Sequence, residues 1–226
     1  MTGPAWLTFD CFGTLVDWRH GIATSAELLF PGQGQRVLAA FNRHEAQIQA
    51  DQPTLRYREV LTEGLRRACA ELSLELRADD ADILGRTIPY WPVFPEVGDA
   101  LRRLRGAGWR LALLTNCDND IIGQTQRRLG SPIAAAVTAE HAKSYKPALG
   151  HFRFFEETFE PDRDRWIHVA QSYFHDIRPV SRLGVRGVWI NRLGEDHDPS
   201  LAAAVLPDLS ALPETVDTLR EEGGNR

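Results

Sequence analysis

The stretch AWLTFDCFGTLVD, residues 5–17, decides the fold. Its apolar start at residues 5–9 is typical of a short buried strand, and the run ends abruptly at Asp10 and Gly13. Because aspartate and glycine favour turns, the residues after the strand are expected to form a loop. We therefore predict a buried first strand whose carboxyl end carries Asp10.

The second half of the chain alternates between strand and helix patterns. Strands are predicted at residues 110–114, 134–138, 166–170 and 187–191, and helices at residues 96–106, 121–129, 149–159, 177–183 and 213–222. Strands that alternate with helices indicate a parallel sheet covered by helices on both faces. The predicted fold class is therefore α/β with a Rossmann-like core, in which sites lie at the carboxyl ends of strands.

A helical segment interrupts this pattern after the first strand. Residues 19–91 are rich in good helix formers, and residues 61–72 (LTEGLRRACAEL) place apolar side chains at helical spacing. Three prolines in PYWPVFPE, residues 89–96, mark the return to the alternating pattern. We predict an all-helical cap at residues 19–91, inserted into a core formed by residues 1–18 and 92–226.

The composition excludes several functional classes. The chain has 226 residues, of which 43% are hydrophobic and 25% charged, and its net charge is −5. A mildly acidic globular chain is a poor partner for nucleic acid or an anionic membrane. With no secretory pattern and no apolar stretch of about 18 residues, a cytoplasmic location is expected. Cys11, Cys69 and Cys117 form no CxxC pair, so neither a zinc site nor a disulfide framework is indicated.

Polar side chains follow the first four predicted strands, and their order is Asp10, Thr115 with Asn116, Lys146, and Ser172 with Asp176. This set suits covalent catalysis by a carboxylate, in which Asp10 attacks an electrophilic carbon or phosphorus. Lys146 would keep Asp10 ionised, and Thr115 would bind a substrate anion. Asp176 would orient a water molecule or position Lys146. The alternative interpretations are a turn or cap role for Asp10, a solvated Lys146, and a helix cap at Asp176.

Four motifs give the chain its family resemblance. They are FDCFGTLVD (residues 9–17), LLTN (113–116), SYKP (144–147) and AQSYFHD (170–176). In this order and spacing the chain resembles the haloacid dehalogenase superfamily, and it is most similar to the type II 2-haloacid dehalogenases. The resemblance implies a Rossmann-like core with a helical cap inserted just after the first motif.

The resemblance also implies roles for individual residues. Asp10 would be the nucleophile, Thr115 and Lys146 would be anchors, and Asp176 would lie near the hydrolytic water. Arg43, in FNRHEAQ (residues 41–47), would receive the leaving halide, unless it is an exposed residue of its helix. The catalytic set is Asp10, Thr14, Lys146, Ser172 and Asp176, and the substrate-binding set is Cys11, Phe12, Arg43, Thr115 and Asn116.

Two positions separate dehalogenases from phosphatases within this superfamily. Phosphatases carry a second aspartate two residues after the nucleophile, where this chain has Phe12, and another acidic residue where it has Ser172. Mg²⁺ prefers several hard oxygen ligands, so these replacements argue against a metal. We predict hydrolytic dehalogenation of small 2-haloacids without a cofactor. The alternatives are an Mg²⁺-dependent phosphatase of a small phosphomonoester and a non-catalytic binding protein.

Three departures from the type II pattern bear on the substrate. Phe12 and Phe152 stand where the dehalogenases have tyrosine, and Tyr173 stands where they have asparagine. His168, inside a predicted strand, is interpreted as a core histidine. The expected partner is a small-molecule substrate, and a homodimer is implied only by the resemblance.

Overall fold

A single parallel sheet forms the centre of the molecule in the computed structural model, which describes residues 4–224. Its strands are β1 (Trp6–Phe9), β2 (Arg110–Thr115), β3 (Ala135–Thr138), β4 (Trp166–Ala170), β5 (Arg186–Ile190) and β6 (Ala204–Leu206). They lie in the order β3-β2-β1-β4-β5-β6, and every neighbouring pair is parallel. The predicted α/β class is confirmed.

α-Helices fill each connection between consecutive strands from β1 to β5. Between β1 and β2 the chain forms α1 (Trp18–Leu29), α2 (Gly34–Asp51), α3 (Tyr57–Glu71), α4 (Ile83–Thr87) and α5 (Val97–Gly106). The later helices are α6 (Asn119–Thr125), α7 (Ala139–Ala142), α8 (Gly150–Phe159), α9 (Arg178–Arg182) and α10 (Leu212–Gly224). Within residues 4–224, no helix has the length and hydropathy needed to cross a membrane.

The strand order places Asp10 at the middle of one sheet edge. β1 is buried along its whole length because helices cover both faces of the sheet, which explains its continuous apolar sequence. The chain runs outward from β1 in both directions, toward β2 on one side and β4 on the other. Crevices form at the carboxyl ends of strands where the order reverses in this way, and Asp10 directly follows β1 at this point.

Two details of the core differ from the sequence prediction. β6 was not predicted, because only three residues at the sheet edge pair with β5 and none of them is fully buried. The helix predicted at residues 177–183 begins with a wide turn, Tyr173–Ile177, in which the Asp176 and Ile177 amides both donate to the Ser172 carbonyl. Helix α9 follows this turn, which carries Asp176 into the interior.

Asp118, in the loop after β2, joins the core to helix α3. Its carboxylate is 1% exposed and accepts hydrogen bonds from the backbone amides of Tyr57 at 2.9 Å and Arg58 at 3.0 Å. These amides belong to the first turn of α3, where N–H groups lack partners within the helix and the helix dipole favours negative charge. Asp118 therefore caps a helix that lies about sixty residues earlier in the chain.

Replacing Asp118 by alanine should lower the free energy of unfolding by about 2–3 kcal/mol, because one buried and one partly buried amide lose a charged acceptor. Urea denaturation measures this change. Asp120→Ala is the matched control, since Asp120 is half exposed and its ion pairs with Arg56 and Arg58 lie at the surface. Equal losses of stability in the two variants would contradict the capping role.

Candidate active site

Both oxygens of the Asp10 carboxylate are held by side chains. The Asp10 amide extends the β1 ladder by donating to the Val169 carbonyl at 3.0 Å, which places the carboxylate just beyond the strand. The Thr14 hydroxyl donates to Oδ2 at 2.8 Å, and the Lys146 ammonium donates to Oδ1 at 2.9 Å. The residue is 8% exposed. Asp10 is therefore oriented but remains open to the cavity that it lines.

The turn that follows Asp10 requires glycine at position 13. Gly13 has φ +103°, a conformation that residues with a side chain rarely adopt. A Cβ atom here would also lie 3.1 Å from both Trp18 Nε1 and Gln171 Oε1. The tight turn brings the Thr14 side chain next to Asp10. The Thr14 hydroxyl also accepts a hydrogen bond from the Gln171 amide at 2.9 Å.

Lys146 is a buried cation between two carboxylates. Its ammonium group donates to Asp10 Oδ1 at 2.9 Å, to Asp176 Oδ1 at 2.7 Å and to the Leu114 carbonyl at 2.8 Å, and the residue is 2% exposed. Burial alone would lower the pKa of Lys146, but the charges of Asp10 and Asp176 outweigh it and raise the pKa. The lysine therefore stays charged, and its positive charge attracts both carboxylates.

Asp176 is fully buried and has one unused acceptor atom. Its Oδ1 accepts from Lys146 and from His168 Nε2, the latter at 2.9 Å. Burial would raise the pKa of Asp176, but the Lys146 charge and the His168 hydrogen bond lower it to about 2. Oδ2 is buried and has no hydrogen-bond partner among the described residues. An ionised oxygen without a partner at this edge is suited to hold a water molecule.

A chain of hydrogen bonds behind Asp176 fixes its orientation. Trp166 Nε1 donates to the Thr8 hydroxyl at 2.9 Å, so that hydroxyl is free to donate to His168 Nδ1, also at 2.9 Å. We therefore infer that His168 carries its proton on Nε2 and donates it to Asp176 Oδ1. The sequence interpretation treated His168 as a core histidine. It is buried as expected, and it also orients Asp176.

The carboxyl end of strand β2 brings Thr115 and Asn116 to the site. The Thr115 carbonyl accepts from His151 Nε2 at 3.0 Å, and burial lowers the pKa of His151 to about 3, so this histidine is neutral. The Asn116 side chain donates to the Lys146 carbonyl at 3.1 Å and accepts from the Lys146 amide at 2.7 Å. Asn116 thus holds the loop that presents the lysine, while both residues also line the cavity.

A cavity of about 300 Å³ lies in front of these groups. Its wall includes seven of the predicted site residues: Asp10, Phe12, Thr115, Asn116, Lys146, Ser172 and Asp176. Thr14 lies behind Asp10. Ser172 accepts a hydrogen bond from the His175 amide at 3.1 Å, and burial lowers the pKa of His175. The structure brings most of the predicted set together.

The predicted site residues Arg43 and Cys11 need correction. Arg43 forms an ion pair with Glu71 and does not line the cavity; the helix α2 residues that line it are 42, 45, 46 and 49. These positions share one helix face, and position 43 is rotated by about 100° from position 42. Cys11 lies in the hydrophobic core, where burial and then the Asp10 charge raise the pKa of its thiol. Neither side chain is placed to touch a substrate in the cavity.

Several cavity residues lie outside the predicted catalytic and substrate-binding sets. They are Trp18 and Arg19 from α1, Asn42, Glu45, Ala46 and Gln49 from α2, Tyr57 from α3, and Gln171 and His175 near Asp176. The spacing of the α2 residues, i, i+3, i+4 and i+7, is visible in the sequence. What the sequence does not show is which face of α2 turns toward Asp10.

The site defines the class of protein. An oriented carboxylate with a permanent cation beside it, at the carboxyl edge of a parallel sheet and facing a cavity, is suited to nucleophilic catalysis through an aspartyl intermediate. The chain belongs to the haloacid dehalogenase-like hydrolase family, whose model matches residues 5–177. This match confirms the resemblance carried by the four motifs.

Relatives with known activities cover most of the chain. It is 26% identical to haloacetate dehalogenase H-2 of Moraxella sp. (strain B) over 85% of this chain and 88% of that protein. It is 25% identical to (S)-2-haloacid dehalogenase H-109 of Pseudomonas putida over 94% of this chain and 96% of that protein. The solved structure of the L-2-haloacid dehalogenase RSc1362 superposes with a TM-score of 0.84 at 24% identity, covering 96% of this chain and all of that one.

Proposed function

We propose that this hydrolase removes the halogen from small 2-haloacids through a covalent ester on Asp10. The observation that carries the proposal is the Lys146 ammonium group bonded to both Asp10 and Asp176. It keeps one carboxylate ready as nucleophile and the other ready to orient water. The relatives H-2 and H-109, which are named as haloacetate and (S)-2-haloacid dehalogenases, support this choice of substrate.

In the first step, a carboxylate oxygen of Asp10 attacks the halogen-bearing carbon from the side opposite the halogen. A carbon–oxygen bond forms, the carbon–halogen electron pair leaves with the halide, and the carbon is inverted. Thr115 and the neighbouring backbone amides hold the substrate carboxylate. Because Lys146 and Thr14 already fix the orientation of Asp10, little reorganisation is needed before attack.

In the second step, water attacks the carbonyl carbon of the Asp10 ester. Oδ2 of Asp176, which has no partner among the described residues, holds this water. The low pKa of Asp176, about 2, makes it a weak base, so its main contribution is orientation and charge. Lys146 and Thr14 stabilise the negative charge that develops on the carbonyl oxygen of the ester when water attacks. The acyl carbon–oxygen bond then breaks. One proton of the attacking water passes to the departing alkoxide oxygen to complete the 2-hydroxyacid, and the other is released to solvent as Asp10 returns to its carboxylate form.

We propose that the reaction needs no metal ion. The Lys146 nitrogen lies 2.9 Å from an Asp10 oxygen and 2.7 Å from an Asp176 oxygen, so a fixed cation already bridges the carboxylates that an Mg²⁺ ion would use. Phe12 and Ser172 add no carboxylate to the cavity. These observations favour dehalogenation over the phosphatase alternative.

The remaining proposals concern organisation and location. We propose that residues 19–91 act as a cap over a core of residues 1–18 and 92–226. Support comes from the cavity itself, whose wall combines residues of α1, α2 and α3 with residues at the strand ends. Closure by a cap would exclude bulk water during attack and require opening for product release. A cytoplasmic location is proposed from the sequence pattern, and a homodimer is proposed from the family resemblance.

One assay compares the candidate functions. Halide release from 2-chloropropionate and monochloroacetate is measured in EDTA, beside phosphate release from a phosphomonoester panel with Mg²⁺. The proposal expects halide release that EDTA does not inhibit. Phosphate release that depends on Mg²⁺, without halide release, would favour the phosphatase. No product in either arm would favour the non-catalytic binding protein.

A further inference from the structure

The cap side of the catalytic cavity carries a carboxyl group where an arginine was expected. Helix α2 turns Asn42, Glu45 and Gln49 toward the space in front of Asp10, while Arg43 points away. Helix α2 therefore supplies this wall with no positively charged side chain. A halide that leaves toward α2 would meet Glu45.

The hydrogen bonds of Glu45 leave one of its oxygens available. Oε1 accepts from the Tyr57 hydroxyl at 3.0 Å and from Gln49 Nε2 at 3.2 Å. Oε2 accepts no hydrogen bond from any residue in the described part of the chain. The two hydrogen bonds to Oε1 hold the carboxyl group in place. A proton on Oε2 would therefore be available to donate a hydrogen bond to a group in the cavity.

Burial, rather than the charges around the cavity, favours the neutral form of Glu45. Across from it lie the carboxylates of Asp10 and Asp176 with Lys146 between them, and His175 is beside them. Arg19 from α1 lines the same wall without an ion pair to Glu45, and Tyr57 and Tyr145 are the other titratable groups nearby. Burial raises the pKa of Glu45 to about 7, opposed by the bond from Tyr57. An anionic substrate would raise it further.

We propose that Glu45 is a catalytic residue whose protonated carboxyl group donates a hydrogen bond from Oε2 to the leaving halide. The inference rests on the proposed dehalogenation. As the Asp10 oxygen bonds to carbon, the carbon–halogen electron pair leaves with the halide, which accepts the hydrogen bond. The proton stays on Glu45, and the halide departs as an anion. Glu45 thus takes the part that the sequence resemblance assigned to Arg43.

This role of Glu45 determines whether kcat/KM rises or falls with pH. Only protonated Glu45 can donate, so kcat/KM should fall as the pH rises through the pKa of Glu45, near pH 7. The Tyr57 bond lowers that pKa, so Tyr57→Phe should move the fall in activity to higher pH. If Glu45 had only a structural role, substitutions of Glu45 and Tyr57 would not both change the pH dependence of kcat/KM.

The test measures chloride release from 2-chloropropionate between pH 5.5 and 9. Glu45→Gln keeps a hydrogen-bond donor that cannot ionise, so its kcat/KM should stay level where the wild type declines. Glu45→Ala, which has no donor, should lose about 10²–10³-fold at pH 6. Glu71→Gln is the matched control, since it neutralises a glutamate that pairs with Arg43 outside the cavity, and it should keep the wild-type profile.

A binding measurement keeps the proposal testable if a variant turns over poorly. 2-Chloropropionate is titrated calorimetrically into Asp10→Asn at pH 7.5, in two buffers with different ionisation enthalpies. Binding should take up about half a proton or more, and the uptake should vanish in the Asp10→Asn/Glu45→Gln double variant. An unchanged alkaline decline in Glu45→Gln, or equal proton uptake with and without Glu45, would overturn the role of Glu45. Absence of halide release from the wild type would instead overturn dehalogenation itself.

Discussion

Asp10→Asn is expected to reduce kcat for halide release by about 10⁴-fold or more, the largest loss of any single substitution in this chain. The amide is nearly the same size and can still accept from Lys146, but it is a poor nucleophile. Because Asp10 is held by one hydrogen bond on each oxygen, the variant should stay folded with the cavity intact. The measurement is halide release under saturating 2-chloropropionate, with thermal unfolding as a check on folding.

Asp120→Asn serves as the matched control for this experiment. Asp120 is half exposed and pairs with arginines at the surface, so its amide should leave halide release within about twofold of the wild type. Residual activity above about 1% in a folded Asp10→Asn protein, free of hydrolysis back to aspartate, would contradict Asp10 as the nucleophile.

Lys146→Met is expected to cause the second-largest loss, about 10³-fold or more in kcat, together with a loss of stability. The substitution leaves Asp10 and the fully buried Asp176 facing each other without their shared cation. Removing one partner of a buried charge network costs about 3–5 kcal/mol. Lys143, the other lysine of the chain, is exposed, so Lys143→Met is the matched control and should change both quantities little.

The pH dependence of unfolding adds a second check on Lys146. The pKa of Asp176 is lowered to about 2 in the folded protein, so its stabilising contribution is present above about pH 4 and is lost as the pH falls toward 2. In Lys146→Met that contribution is absent, so the difference in unfolding free energy from the wild type should narrow between pH 6 and pH 3. Urea denaturation across this range measures it. A difference that widens on acidification would contradict the proposed charge network.

The fold was largely predictable because its strands are buried on both faces. Such strands appear as continuous apolar runs, and Trp166–Ala170 was predicted at its observed bounds. Ala204–Leu206 was missed because an edge strand of three residues, with two half-buried side chains and one exposed, carries no comparable pattern. The wide turn at Tyr173–Ile177 was also missed, since its hydrogen bonds depend on how the chain packs around Asp176.

The site was predictable as far as strand order determines it. Asp10, Thr115 and Asp176 meet because the carboxyl ends of neighbouring parallel strands meet at one edge. The bond between His168 and Asp176 was not predictable, because it depends on the register that sets Thr8 beside His168 on adjacent strands. The choice of Arg43 failed because the sequence alone does not determine the rotation of α2 over the core.

The most direct measurement follows isotopic oxygen during a single turnover. Excess enzyme is mixed with 2-chloropropionate in H₂¹⁸O, and both the product and the peptide that contains Asp10 are analysed by mass spectrometry. Attack by Asp10 followed by hydrolysis at its ester carbonyl predicts that the first 2-hydroxyacid carries ¹⁶O and that Asp10 retains ¹⁸O. A product that carries ¹⁸O in the first turnover, with Asp10 unlabelled, would show direct attack by water and contradict the covalent mechanism.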